Sequence, residues 1–382
     1  MTKDVNKNKK RIGIDARFYG PTGKGLGRYT KEVLDRILAM DTVNEYVVFL
    51  YKENFSEFTS VNPRVKKVLV RARWYSFAEH LLMPYLIWRE HLDLMHFPHF
   101  NVPLFCPVRF IVTIHDLILT KHPTQRATTL NPTFYKIKYG LYKIVISLAI
   151  KRARRIIAVS EFTRNDIIRQ FKVNKDRITV TLEGVATEFK DNLKKNDKNV
   201  VVRYNIKEPY LLYVGNAYPH KNLEWLARVF FEFSKKRPEL KLVLVGKDDY
   251  FYSRLKTQVS AAAYGNILFP GYIPDDDLAE IYRRALAYIF PSLYEGFGLP
   301  PLEAMANGCP VVSSDRTSMP EILGKAALYF DPRNDDEITR QLEKIISDAN
   351  LRETLIRRGY EQARKYGWND CAKKTLEIYN QR

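Results

Sequence analysis

Short, largely apolar segments recur along this chain in alternation with stretches of helical spacing, and that alternation leaves few folds open. Residues 11–16, 46–51, 65–70, 110–115 and 155–160 form a first series, and 210–214, 241–245, 267–269, 287–290 and 310–313 form a second. A run such as Phe-Ile-Val-Thr-Ile-His at 110–115 lacks the strict alternation of a strand with one wet face. It fits a strand of a parallel sheet covered by helices on both faces. Residues 30–40 place Val33, Leu34, Ile37 and Leu38 on one side of such a helix. The 382 residues exceed one ordinary core, so the two series predict two doubly wound α/β domains.

The charge is spread unevenly between them. Residues 1–190 hold 33 Lys/Arg against 17 Asp/Glu, whereas residues 191–382 hold 29 against 26, within a total of +19. The first half is therefore expected to face an anionic partner. Near residues 191–199 the apolar pattern gives way to charge, which places a linker there. The expected division is a first domain over 1–190, a linker over 191–208, a second domain over 209–365 and a C-terminal helix over 366–382. No apolar run reaches about 18 residues, so no spanning helix is expected. Residues 1–10 are polar and charged, unlike a secretory signal. Cys106, Cys309 and Cys371 stand far apart without metal-like spacing, and a reduced cytoplasmic setting is the simplest expectation.

The densest chemistry lies at residues 295–303, Glu-Gly-Phe-Gly-Leu-Pro-Pro-Leu-Glu. Proline favours the first turn of a helix, so a helix is predicted to begin near Pro300 or Pro301. A strand at 287–291, a glycine turn and a helix N-terminus between Glu295 and Glu303 suit a phosphate joined to a hydroxyl-rich group, as in a nucleotide-sugar. The plain alternative is a strand-to-helix connection with two solvated glutamates.

With residues 304–312, Ala-Met-Ala-Asn-Gly-Cys-Pro-Val-Val, this stretch resembles the glutamate-pair signature of family 4 (group 1) glycosyltransferases, retaining enzymes of the GT-B class. The resemblance covers nearly the whole chain. It continues in Arg-Ile-Gly-Ile-Asp-Ala-Arg at 11–17, the Gly-Lys-Gly-Leu-Gly-Arg-Tyr loop at 23–29, Val-Thr-Ile-His-Asp at 112–116 and Ile-Ala-Val-Ser-Glu-Phe-Thr at 157–163. Further matches are Tyr-Val-Gly at 213–215, His-Lys-Asn at 220–222, Phe-Pro-Gly-Tyr at 269–272 and Met-Pro-Glu at 319–321. The family implies two Rossmann-like domains facing across a cleft, the first for the acceptor and the second for the donor nucleotide, with the C-terminal helix returning to the first. It implies catalytic places for His115 and Glu295. It implies diphosphate contacts from Gly25, Gly27, Lys221 and the backbone of Gly296, Phe297, Gly298 and Leu299. Glu303 then meets the ribose, and Tyr272 and Ile273 face the nucleobase. The chain departs from the pattern at Asn216, where many members carry arginine; His220 or a distant cation could replace it.

Each of these residues also has a plainer reading. His115 could be a packed strand terminus, Tyr272 simple packing, and the glycine loop an ordinary turn. His96 and His99 show two nitrogens without a third ligand, so no metal is expected. Asp248-Asp249 and Asp275-Asp276-Asp277 read as helix caps and first turns. Residues 117–160 hold nine Lys/Arg and no acid. Their aromatic, aliphatic and basic mix suits either a helix on anionic lipid or a core helix with a basic outer end. Nucleic acid is not expected, because no binding motif accompanies the charge. The function expected is transfer of a hexose, with retention and without metal or other cofactor, from a nucleotide-sugar to a hydroxyl of a glycan or lipid-linked acceptor. The N-terminal and His115 segments most resemble bacterial mannosyltransferases of surface-polysaccharide assembly, which implies GDP-mannose. The alternatives are a UDP-hexose donor, or a non-catalytic binder of anionic surfaces on a degenerate copy of the fold.

Overall fold

A computed structural model of the protein describes residues 9–20, 24–121, 132–185, 199–262 and 264–381. They divide into two units. The first takes the described residues up to Lys121, those from Pro132 to Gly184, and the chain from Trp368 on; the second takes those from Val185 to Gly367.

The first unit is built on β1 (Arg11–Asp15), β2 (Glu45–Leu50), β3 (Val65–Leu69), β4 (Leu94–Phe97), β5 (Phe110–Ile114), β6 (Arg155–Ala158) and β7 (Ile178–Val180). All pair in parallel, in the order β3-β2-β1-β4-β5-β6-β7. The second unit holds β8 (Tyr210–Val214), β9 (Lys241–Val245), β10 (Ile267–Gly271), β11 (Ala287–Phe290), β12 (Val311–Ser314) and β13 (Ala327–Phe330). These are also parallel, in the order β10-β9-β8-β11-β12-β13. Every residue of β5 and of β11 is buried, which is why both read as unbroken apolar runs. In each sheet the strand order reverses once, between β1 and β4 and between β8 and β11. Connections leave a crevice at such a reversal, at the carboxyl ends of the strands.

Three strands escaped the apolar pattern. β4 reads Leu-Met-His-Phe, and its histidine hides it. His96 is buried, and burial lowers its pKa to about 3, so it packs as a neutral ring. Its nitrogens meet Tyr379 Oη at 2.6 Å and Thr113 Oγ1 at 2.9 Å. β7 and β13 are short edge strands with half-exposed positions.

The expected glycine loop is in fact the start of a helix, Lys24–Met40, which begins six residues before the sequence pattern placed it. Gly25 and Gly27 are weak helix formers and mask the start. Gly27 is required by close packing, because a Cβ there would lie 2.1 Å from the Gly20 carbonyl oxygen. The helix Trp368–Asn380 packs on this one: the Trp368 ring lies 6.0 Å from Tyr29, and Asn369 accepts from Arg36 Nε at 3.0 Å. Of the expected linker 191–208, residues 191–198 lie outside the described residues. The remainder carries the helix Val200–Arg203, whose Val200 and Val201 are buried in the second unit.

Candidate active site

In the second unit the turns after β8 and β11 meet at the strand reversal. The first ends in the 3-10 turn Pro219–Lys221, and the second carries Glu295. Leu293 N–H donates to the His220 carbonyl at 2.8 Å and laces the two together. Lys221 Nζ then reaches Glu295 Oε1 at 2.5 Å, with the two side chains 12% and 14% exposed. The ammonium also lies 5.4 Å from the centroid of the Phe290 ring. Thr317 and Ser318, which the sequence reading missed, fix the Glu295 backbone. Thr317 Oγ1 accepts from Glu295 N–H at 3.0 Å, and Ser318 Oγ reaches the carbonyls of Glu295 and Phe297 at 3.0 and 3.1 Å.

The helix after this turn is Leu299–Ala306, with Gly298 as its N-cap at φ +104. A Cβ at Gly298 would stand 2.4 Å from Met319 Cε, so both conformation and space demand glycine. Pro300 and Pro301 lack N–H groups, which leaves Gly298 and Leu299 as the donors at this helix start. Phe297 packs its ring on Tyr366 at 5.6 Å, so what it can offer a ligand is backbone. Glu303 is only 6% exposed, and Glu295 is paired, so the reading of two solvated glutamates does not hold. Tyr272 follows β10 and is 66% exposed, which removes the packing explanation, while Ile273 beside it is buried.

The remaining acids are structural. Asp249 caps the helix Tyr250–Ala261, and Asp277, in the first turn of Asp275–Arg284, accepts from Arg203 and Tyr204. Asn216, the departure from the expected family pattern, folds back to accept from Tyr218 N–H at 3.3 Å.

In the first unit His115 stands just past β5. Nδ1 lies 2.9 Å from Glu183 Oε1, and Nε2 lies 3.0 Å from the Pro98 carbonyl oxygen beyond β4. Burial works against a charged ring, but the Glu183 carboxylate and the Pro98 carbonyl outweigh it, and the pKa stands above the ordinary 6.5. The ring meets Tyr29 edge-on at 4.6 Å, and its side chain is 18% exposed. Both ring nitrogens are thus held by partners. Glu183 follows β7 and was missed with it.

Gly25 is exposed, and a Cβ there would touch nothing within 4 Å. Beyond β1, Arg17 is buried between two carboxylates: Nε and Nη2 reach Asp15 at 2.7 and 2.6 Å, and Nη2 reaches Glu79 at 2.5 Å. Two helices present apolar faces outward. Phe77, Leu81, Tyr85 and Trp88, on Phe77–Arg89, are 52–86% exposed. Ile137, Leu141 and Ile144, on Pro132–Arg152, are also exposed, among Lys136, Lys138 and Lys143. The first of these faces was not foreseen. Arg152, Arg154 and Arg155 bond instead to the carbonyls of Leu104, Gln381 and Asp176.

Residues 194–362 match the family Glycosyl transferases group 1, and residues 23–189 match Glycosyltransferase Family 4. The chain belongs to the family 4, group 1 glycosyltransferases. This glycosyltransferase is 29% identical over 379 residues to the O-antigen chain mannosyltransferase B of Escherichia coli, covering 93% of this chain and 95% of that one. Among solved structures it is similar to the sucrose-phosphate synthase of Thermosynechococcus elongatus, with a TM-score of 0.76, 18% identity and coverage of 97% and 98%. It is likewise similar to Anabaena HepE in complex with UDP and glucose, with a TM-score of 0.72, 14% identity and coverage of 98% and 100%. The fold class is thus GT-B, with two Rossmann-like domains.

Proposed function

We propose that this glycosyltransferase moves mannose from GDP-mannose to a hydroxyl of a growing surface polysaccharide, retaining the anomeric configuration. The observation that carries the reading is the Lys221–Glu295 pair at the reversal of the second sheet, in the turn that leads to the helix start at Gly298 and Leu299. A departing nucleoside diphosphate needs cationic and N–H partners where its charge develops. Lys221 and the 296–299 backbone supply them. Glu295 holds the ammonium and lies beside the donor sugar, Glu303 takes the ribose hydroxyls, and Tyr272 with the Ile273 backbone faces the base. In the first unit the family resemblance assigns Gly25 to the diphosphate and His115 to the sugar and acceptor hydroxyl. The bond between the anomeric carbon and the diphosphate oxygen breaks, a bond to the acceptor oxygen forms, and the acceptor's proton departs with the diphosphate.

Mannose is favoured by the O-antigen mannosyltransferase relative, which matches over nearly its full length. A UDP-hexose donor is the second reading, favoured by the UDP and glucose bound to the similar HepE. Transfer without a metal is part of the same proposal; among the described residues no three His, Cys, Asp or Glu are grouped to hold a cation. No helix of the described residues is long and apolar enough to cross a membrane. The exposed apolar stripes, the one on Pro132–Arg152 set among lysines, support peripheral docking on the anionic cytoplasmic face, where a lipid-linked acceptor would be met. Incubation with GDP-mannose, UDP-glucose and UDP-galactose, with and without a lipid-diphosphate-linked glycan, tests the reading. Acceptor-dependent release of GDP and an α-linked product by NMR are expected. Consumption of a UDP-sugar alone, or a β-linked product, refutes it.

A further inference from the structure

A cavity of about 790 Å³ opens in the first unit at the carboxyl ends of β1, β2 and β3, and its lining includes neither His115 nor Gly25. Its base and rim differ in chemistry. Arg17 and Asn54 form the base, and both are almost completely buried. The grip of Asp15 and Glu79 occupies Arg17 Nε and Nη2, which leaves Nη1 buried without a partner. Asn54 Nδ2 donates to the carbonyls of Ala16, Arg17 and Tyr19 at 3.1, 3.1 and 3.2 Å, which fixes the amide and leaves Oδ1 without one. Trp74 Nε1, on a ring held flat against Phe18 at 4.0 Å, and Tyr51 Oη are two more such atoms among the described residues. Buried polar atoms are rarely left unbonded. Two donors, one acceptor and one hydroxyl among the lining residues complement hydroxyl groups, which both donate and accept.

The rim carries Lys52, Arg71 and Arg73, all exposed and without an ion pair among the described residues. Glu53 is the one carboxylate among the lining residues. Asp15 and Glu79 are committed to Arg17, so the rim keeps a cationic surplus. The rim suits an anion and the base suits polyol hydroxyls.

We propose that this cavity binds a phosphorylated sugar, with hydroxyls against Arg17, Asn54 and Trp74 and phosphate on Lys52, Arg71 and Arg73. A neutral sugar leaves the rim unpaired, and inorganic phosphate leaves the base unpaired. The same chemistry has two sources: the phosphorylated end of the acceptor, or a free sugar phosphate acting as an effector.

The test titrates the full chain with mannose 6-phosphate, mannose and inorganic phosphate, read by calorimetry and tryptophan fluorescence. Mannose 6-phosphate is expected to saturate and to bind more tightly than either fragment. Trp74→Phe should remove the fluorescence change while the heat persists. Replacing Arg71 and Arg73 together by glutamine should weaken binding by about tenfold or more, the loss expected for charge-assisted hydrogen bonds. Absence of saturable binding, binding no tighter than phosphate alone, or unchanged binding by the double variant overturns the proposal. Competition with acceptor in steady-state rates assigns the site to the acceptor's own phosphate. An altered kcat without competition assigns it to an effector. Binding is read without turnover, so this inference stands or falls separately from the donor assignment.

Discussion

Replacing Lys221 with methionine tests the donor site most directly. The ammonium lies 2.5 Å from Glu295 Oε1, and both side chains are largely covered, at 12% and 14% exposed. Methionine keeps much of the stem but strands the carboxylate. A hydrogen bond to a charged group contributes about 1.5–3 kcal/mol, and breaking a fully buried pair costs about 3–5 kcal/mol. Residual exposure moves this pair to the lower range, so a loss of about 1–3 kcal/mol is expected. At roughly 2–4 °C per kcal/mol for a unit of this size, the transition that unfolds the second unit should fall by about 2–12 °C in calorimetry. Glu295→Gln should cost less, since the amide oxygen still accepts from Lys221. Combining K221M with E295Q removes both charges, and the sum should undershoot additivity by about 1–2 kcal/mol. Turnover should behave differently. Lys221 is proposed to meet the diphosphate, so K221M should lower kcat/KM by at least about tenfold, or 1.4 kcal/mol, and E295Q should not rescue it. A double variant that regains both stability and turnover would reduce Lys221 to a structural partner of Glu295. Strictly additive single effects would deny the pair any coupling.

Gly298→Ala should destabilise the second unit by about 2–4 kcal/mol, from a left-handed backbone penalty plus overpacking against Met319, and an unchanged thermal transition would contradict this. His115 has a raised folded pKa, so its stabilisation is fully present below the ordinary 6.5 and is lost as pH rises through the raised value. Glu183→Gln removes the carboxylate but not the burial, so the ring should titrate lower by NMR; an unmoved titration curve would rule out Glu183 as the cause. Leu81→Ser with Trp88→Ser should abolish sedimentation with anionic vesicles at low salt, and equal binding by wild type and variant would remove that face from membrane docking. Full activity is expected in excess chelator, and loss restored by magnesium or manganese would overturn metal independence.

How much of this was legible in the sequence depended on where the partner of each residue lies. β5 and β11 could be read because central parallel strands bury both faces and tolerate little but apolar residues. The segment 295–303 could be read because its turn, prolines and acids are contiguous. The glycines that begin the helix Lys24–Met40 disguised it as a loop, since local propensity there is overruled by packing against Gly20 and Phe18. Glu183 reaches His115 across 68 positions, and Lys221 reaches Glu295 across 74. No local pattern encodes such pairings; they exist only once the sheets set strand ends side by side. The base of the cationic cavity is of the same kind, drawing Arg17, Asn54 and Trp74 from segments that follow three different strands.

The place of the C-terminal helix bears on how such a molecule can be cut and recombined. Among the described residues the chain leaves the first unit after Gly184 and re-enters it at Trp368, so the second unit is an insert within the first. The two passages run side by side, with Val185 N–H donating to the Tyr366 carbonyl at 3.4 Å. Ending the polypeptide at residue 184 would strip Tyr29 of its Trp368 neighbour and leave His96 without Tyr379. A short glycine-serine bridge from Gly184 to Trp368 would instead close the first unit into one continuous chain with both contacts kept. The second unit is thus a cassette whose two seams lie side by side. One excision there could exchange it between relatives while the first unit kept its own core.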